Sequence, residues 1–228
     1  NGIEGLLAEK LVDLFALFED EKNLTHLEHT PASALGSCRK KLPDVESDPD
    51  FYERLVAIFK KYDIRYFFYI GGNDSMDTVA KLDTFFENYN YDIRIIGVPK
   101  TIDNDLVITD HTPGFGSAAK YIATMTQEIL CDCAVYTLRA VTIIEIMGRD
   151  AGWLTASSAV GRAVCGREPD LVYLPEVTFD REKFISDVNK ALSKHSNVVV
   201  AVSEGIRDAD GNYIGASSGA TDVFGHKY

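Results

Sequence analysis

Directly after the apolar run IRIIGV comes the heptad Pro99-Lys100-Thr101-Ile102-Asp103-Asn104-Asp105. Two carboxylates, an amide, a lysine and a threonine are packed there into seven residues. Phosphoryl transfer to an alcohol needs a carboxylate to take the hydroxyl proton, a metal to neutralise phosphate charge, and a cation on the transferring group. Asp103, Asp105 and Lys100 supply one candidate for each role. The bland alternative is an Asx-turn loop with solvated charges.

Three further motifs carry chemistry of the same kind. Gly71-Gly72-Asn73-Asp74-Ser75 has paired glycines that let backbone approach a ligand, and helix-initial N–H groups that favour an anion. A strand-to-helix turn capped by Asn73 or Ser75 explains it equally well. Met147-Gly148-Arg149 presents a guanidinium suited to bidentate phosphate recognition, or else Arg149 pairs locally with a helix-initiating Asp150. Glu204 follows VVVAVS and either accepts hydrogen bonds from sugar hydroxyls or caps the turn before DADGNY. The cluster Leu35 to Lys41, LGSCRKK, is a phosphate site or a solvated basic face. His26, His29, His111 and His195 read as surface or cap residues, and Trp153 as helix packing. The four cysteines do not form a disulfide framework, and Cys131-Asp132-Cys133 has poor zinc spacing.

What must position these motifs is an alternation of apolar strands and helices. Strands are expected over 64–72, 93–99, 140–148, 170–176 and 197–205. Helices are expected over about Ser75–Tyr89, Gly116–Leu130, Ala151–Val164 and Arg181–Lys194. Continuous apolar strands, each followed by a helix, indicate parallel sheets covered on both faces, with ligands at the carboxyl ends of the strands. GGNDS, PKTIDND, MGRD and SEG all fall just past a strand. The net charge of −12 in 228 residues argues against nucleic acid or an anionic membrane as a partner. No apolar run approaches a membrane span.

In order and spacing, GGNDS, PKTIDND, TDHTPGFGSA, EIMGRDAGWLT and LPEVTFD resemble the phosphofructokinase family along nearly the whole chain. Asp74 and Lys100 resemble its pyrophosphate-dependent branch, because ATP-dependent relatives read GGDGS and PGTIDND at these places. The resemblance implies an α/β fold of two Rossmann-like lobes with mostly parallel sheets covered by helices, here an incomplete portion. Residues 1–114 would be most of the donor-binding lobe and 115–228 the sugar-phosphate lobe, with the active site between them. The first strand and its Gly-rich loop would precede Asn1, and further segments would follow FGH.

The implied reaction is reversible, Mg²⁺-dependent transfer from pyrophosphate to the 1-hydroxyl of fructose 6-phosphate. Asp103 would be the base, with Lys100 and Arg149 on the phosphoryl group. Thr101, Met147, Gly148, Glu204, Arg39 and His226 would bind substrate. Gly71, Gly72, Asp74 and Ser75 would bind the donor, and Asn73, Asp74 and Asp105 would serve the metal. Asn73 departs from the family pattern, which has Asp there, and Ala140 stands where a subunit-crossing arginine is found. A cytoplasmic homo-oligomer, dimer or tetramer, is the expected form. The alternatives are an ATP-dependent 6-phosphofructokinase or a non-catalytic regulatory subunit on the same fold.

Overall fold

A computed structural model describes residues 1–215 of the chain. They fall into two compact units, Asn1–Val98 and Pro99 onward. The segment 99–114, expected to go with the first lobe, therefore groups by its contacts with the second.

The first unit comprises α1 (Gly2–Leu7), α2 (Leu14–Leu17), α3 (Glu21–Glu28), α4 (Pro49–Lys61), β1 (Tyr66–Gly71), α5 (Asn73–Glu87) and β2 (Arg94–Pro99). Helix α4 is specified at both ends. Asp48 caps it by accepting the Phe51 N–H, Pro49 occupies its first turn, and Lys60 and Lys61 lie against the carbonyl end. Its buried residues Tyr52, Leu55, Val56 and Phe59 recur at helical spacing and pack with Ile3, Leu82, Phe86 and Ile93 into one core. Strands β1 and β2 pair in a two-stranded sheet. Phe67 and Tyr69 of β1 pack on the core, whereas Tyr66, Phe68 and Ile70 are exposed. Only one face of this strand is covered by described residues, not both as the sequence leads one to expect.

The second unit comprises α6 (Phe115–Ala134), β3 (Ala140–Ile146), α7 (Trp153–Ser157), a 3₁₀ turn (Ser158–Val160), α8 (Gly161–Cys165), β4 (Leu171–Tyr173), α9 (Arg181–Leu192) and β5 (Asn197–Ser203). Its sheet has the order β3-β5-β4, and both pairings are parallel. Central β5 buries Val198, Val199, Val200 and Ala201 in succession, which is why its sequence reads as an unbroken apolar run. The register runs from Ala140 opposite Asn197 to Ile146 opposite Ser203. Both strands thus end at one level, and the residues following each emerge side by side.

Several local expectations are corrected. The helix over 151–164 is broken, with Ser157 and Ser158 donating to the Leu154 and Thr155 carbonyls three residues back and tightening the backbone. Trp153 is 56% exposed at the start of α7 rather than packed. Helix α5 is capped by Gly72 without a side-chain hydrogen bond, so neither Asn73 nor Ser75 is the cap. Cys38, Cys131, Cys133 and Cys165 are free thiols.

Leu55 is fully buried in the first core. Leu55→Ala should therefore cost about 3 kcal/mol, read as a lowered midpoint in urea unfolding of the intact protein with an unchanged slope.

Candidate active site

The polar heptad folds into a loop stapled from inside by one amide. Asn104 sits at φ 58°, in the left-handed region that asparagine tolerates better than most residues, and is buried. Its Nδ2 donates to the Asp110 carbonyl at 3.1 Å, and its Oδ1 accepts the Thr112 N–H at 2.8 Å. The Thr112 hydroxyl donates to the Thr101 carbonyl at 2.6 Å, and Thr101 forms a bridge with Gly114. Each end of the loop is thereby tied to the other. The flanking residues Asp103 and Asp105 are held half-buried. Asn104 is the residue that motif reading passed over. Its signal was an amide between two acids, a type able to take both the αL turn and several backbone bonds.

Asp103 has a buried Oδ1 that accepts no hydrogen bond. Burial pushes its carboxyl above the ordinary aspartate value, and the negative charges of Asp105 and Glu204 push it further. The Thr101 hydroxyl and the Lys100 ammonium pull partly the other way. A carboxyl placed like this is under-stabilised as an anion, which is what a proton acceptor requires. Lys100 itself is exposed.

Past β3, Gly148 lies at φ 123°, and a Cβ on it would stand 2.4 Å from the Ala151 carbonyl oxygen. Only glycine fits this turn. Glu204, past β5, accepts the Gly148 N–H through Oε1 at 3.2 Å. The structure thus brings Lys100, Thr101, Asp103, Asp105, Met147, Gly148, Arg149 and Glu204 into one unit. Within it, Asp103, Lys100, Asp105 and Glu204 interact electrostatically, and Glu204 touches Gly148. Asp150 pairs with Arg207, not with Arg149. The Arg207 guanidinium also donates to the Tyr213 hydroxyl at 2.6 Å and lies over its ring. Glu176 of LPEVTFD accepts the Gly152 N–H at 2.7 Å and so caps α7.

The remaining predicted residues belong to the first unit. Gly71 ends β1, Gly72 caps α5, and Asn73, Asp74 and Ser75 form its first turn. Arg39 is exposed in an irregular segment between α3 and α4. His226 lies outside the described residues.

A profile described as phosphofructokinase matches residues 1–226. The chain is 48% identical over its full length to a pyrophosphate–fructose 6-phosphate 1-phosphotransferase of Halomonas elongata, covering 54% of that protein. It is 44% identical to the protein of that name from Xanthomonas campestris, covering 99% of this chain and 54% of the other. The crystal structure of a pyrophosphate-dependent phosphofructokinase from Nitrosospira multiformis superposes with a TM-score of 0.82 at 43% identity, over 93% of this chain and 52% of that one. The chain spans about half the length of the curated relatives it matches.

Two measurements check this geometry. In protein free of divalent ions, NMR titration should place the Asp103 carboxyl above the ordinary aspartate value. Glu204→Gln, by removing a repelling charge, should move it down toward that value. Asn104→Ala leaves the Thr112 N–H and the Asp110 carbonyl without their partner and should destabilise the second unit by about 1–3 kcal/mol, seen in thermal unfolding.

Proposed function

The chain belongs to the phosphofructokinase family, and from that premise we propose that the protein transfers a phosphoryl group reversibly from pyrophosphate to the 1-hydroxyl of fructose 6-phosphate. The observation that carries the reading is the half-buried Asp103 carboxyl, raised in pKa and with one oxygen left without a donor. It takes the hydroxyl proton as the sugar oxygen forms its bond to phosphorus. The bridging P–O bond of pyrophosphate breaks and inorganic phosphate leaves.

Lys100 and Arg149 hold the charge on the transferring group, and Arg149 is well suited to this because its planar fork matches phosphate oxygens. Glu204, with one oxygen committed to Gly148, presents its remaining acceptor capacity to the sugar, helped by Thr101, Met147 and Gly148. Arg39 and His226 contact its phosphate. Gly71, Gly72 and Ser75 form the donor loop at the head of α5. Asp74 in the first turn of that helix places a negative charge and extra bulk where a nucleotide phosphate would otherwise gain from the helix end. With Lys100 at the other motif, this favours the smaller pyrophosphate over ATP, in keeping with the names carried by the relatives.

Mg²⁺ is the cofactor this reading implies. The described residues contain no group of three or more His, Cys, Asp or Glu side chains shaped to hold a metal. Mg²⁺ commonly takes only one or two carboxylates and completes its shell with water and substrate phosphates, and the oxygen-only donors here fit that habit. Asp105, with Asn73 and Asp74, would hold the ion, which when bound neutralises charge on the phosphoryl oxygens. A homo-oligomer, dimer or tetramer, in the cytoplasm completes the proposal. No helix among the described residues is long and apolar enough to cross a membrane.

Asp103→Asn in the intact enzyme should lower kcat by about 10²–10⁴ while fructose 6-phosphate still binds in calorimetry. The donor assignment is checked by assaying pyrophosphate and ATP side by side. Asp74→Gly with Lys100→Gly should cut kcat/KM for pyrophosphate, and wild-type turnover of ATP at comparable efficiency would overturn the assignment.

A further inference from the structure

We propose that Ser203 is a positioning residue for Arg149, fixing the peptide that carries the phosphate-binding guanidinium. The inference rests on the reaction proposed above for the role of Arg149, and on the geometry of the second unit for everything else.

Ser203 is the last residue of β5, 1% exposed, and faces Ile146 at the end of β3. Its hydroxyl uses both of its capacities. It donates to the Gly148 carbonyl at 2.6 Å and accepts the Gly205 N–H at 3.0 Å. The Gly148 carbonyl belongs to the peptide that joins Gly148 to Arg149, so anchoring that oxygen sets the plane from which the Arg149 Cα departs. Glu204 holds the other side of the same residue through the Gly148 N–H. Its own N–H donates to the Ile146 carbonyl at 2.9 Å.

This double hold is needed because glycine at φ 123° has no side chain to restrict it and samples conformations that other residues avoid. Seating is completed by Gly205. A Cβ there would lie 1.8 Å from the Arg149 carbonyl oxygen and 2.7 Å from its Cα, so the arginine backbone rests directly on the 203–205 segment. The guanidinium itself has no hydrogen bond or ion pair among the described residues. What the described residues fix is the point from which the guanidinium departs, and Ser203 holds it together with Glu204 and Gly205. Ser203→Ala would strip a buried carbonyl and a buried N–H of their partner in one step.

Intact enzyme carrying Ser203→Ala, Ser203→Thr, Arg149→Ala and the Ser203→Ala/Arg149→Ala pair tests this. Misplacing a phosphate-binding cation should lower kcat by up to about 10²-fold with little change in KM for fructose 6-phosphate. Ser203→Thr, which keeps the hydroxyl, should restore most of the loss. The double variant should be no worse than Arg149→Ala alone, because residues acting as one unit are not additive. Hydrogen exchange should quicken across 147–150 and at Gly205 in Ser203→Ala, with Leu171–Tyr173 unchanged.

An unaltered kcat in Ser203→Ala, losses that multiply in the double variant, or unchanged exchange at 147–150 would each overturn the role. Should Ser203→Ala not fold, Ser203→Cys, close in volume and a weaker donor, takes its place in every comparison. A wild type inactive with pyrophosphate and fructose 6-phosphate would count against the reaction, whereas the exchange experiment would still decide whether Ser203 holds the turn.

Discussion

The second unit depends on the pairing of β3 with β5. Seven successive residue pairs align the strands so that both end together at Ile146 and Ser203. The ladder of backbone hydrogen bonds sets that alignment, and the burial of Val198, Val199, Val200 and Ala201 on both faces holds β5 at the centre of the sheet. The turn carrying Met147, Gly148 and Arg149 and the segment carrying Ser203, Glu204 and Gly205 are brought into hydrogen-bonding contact as a consequence. An apolar register thus delivers a guanidinium and a carboxylate to adjacent places, although neither contributes to the core.

Electrostatic character follows from that placement. Asp103 lies half-buried in a loop whose shape comes from Asn104 and Thr112, and Asp105 and Glu204 add negative charge around it. Burial and like charge act in the same direction, so the carboxyl is held reluctant to ionise while Lys100 offsets only part of the effect. The position of Glu204 serves two ends. One oxygen anchors Gly148, and its charge helps raise the Asp103 carboxyl.

In the first unit the two faces of β1 differ. Phe67 and Tyr69 are packed against α4 and α5, yet Tyr66, Phe68 and Ile70 face outward; in the second unit Val141 and Ile143 of β3 are likewise exposed. Apolar rows of this kind are normally covered in parallel α/β sheets.

Candidates for the site were legible from residue types alone. Asp103, Lys100, Arg149 and Glu204 stood out as candidates because they fall just past apolar strands, where open parallel sheets bind ligands, and the strand periods that place them depend only on local spacing. Helix α4 is absent from the expected helices, although Asp48, Pro49 and two lysines mark its ends locally. Other features were beyond sequence. Asp150 turned to Arg207 and not to its neighbour, Glu176 capped a helix 24 positions away in sequence, and Ser203 proved to be the clamp on Gly148. Each is a contact between residues far apart in the chain, decided by which strand ends meet. Sequence determined the fold class and the chemical inventory, because these rest on residue type and period, and its motifs carried the resemblance to the family. Tertiary structure decided which of those groups touch, because hydrogen bonds and pKa shifts depend on distances that only the sheet register and loop closure set.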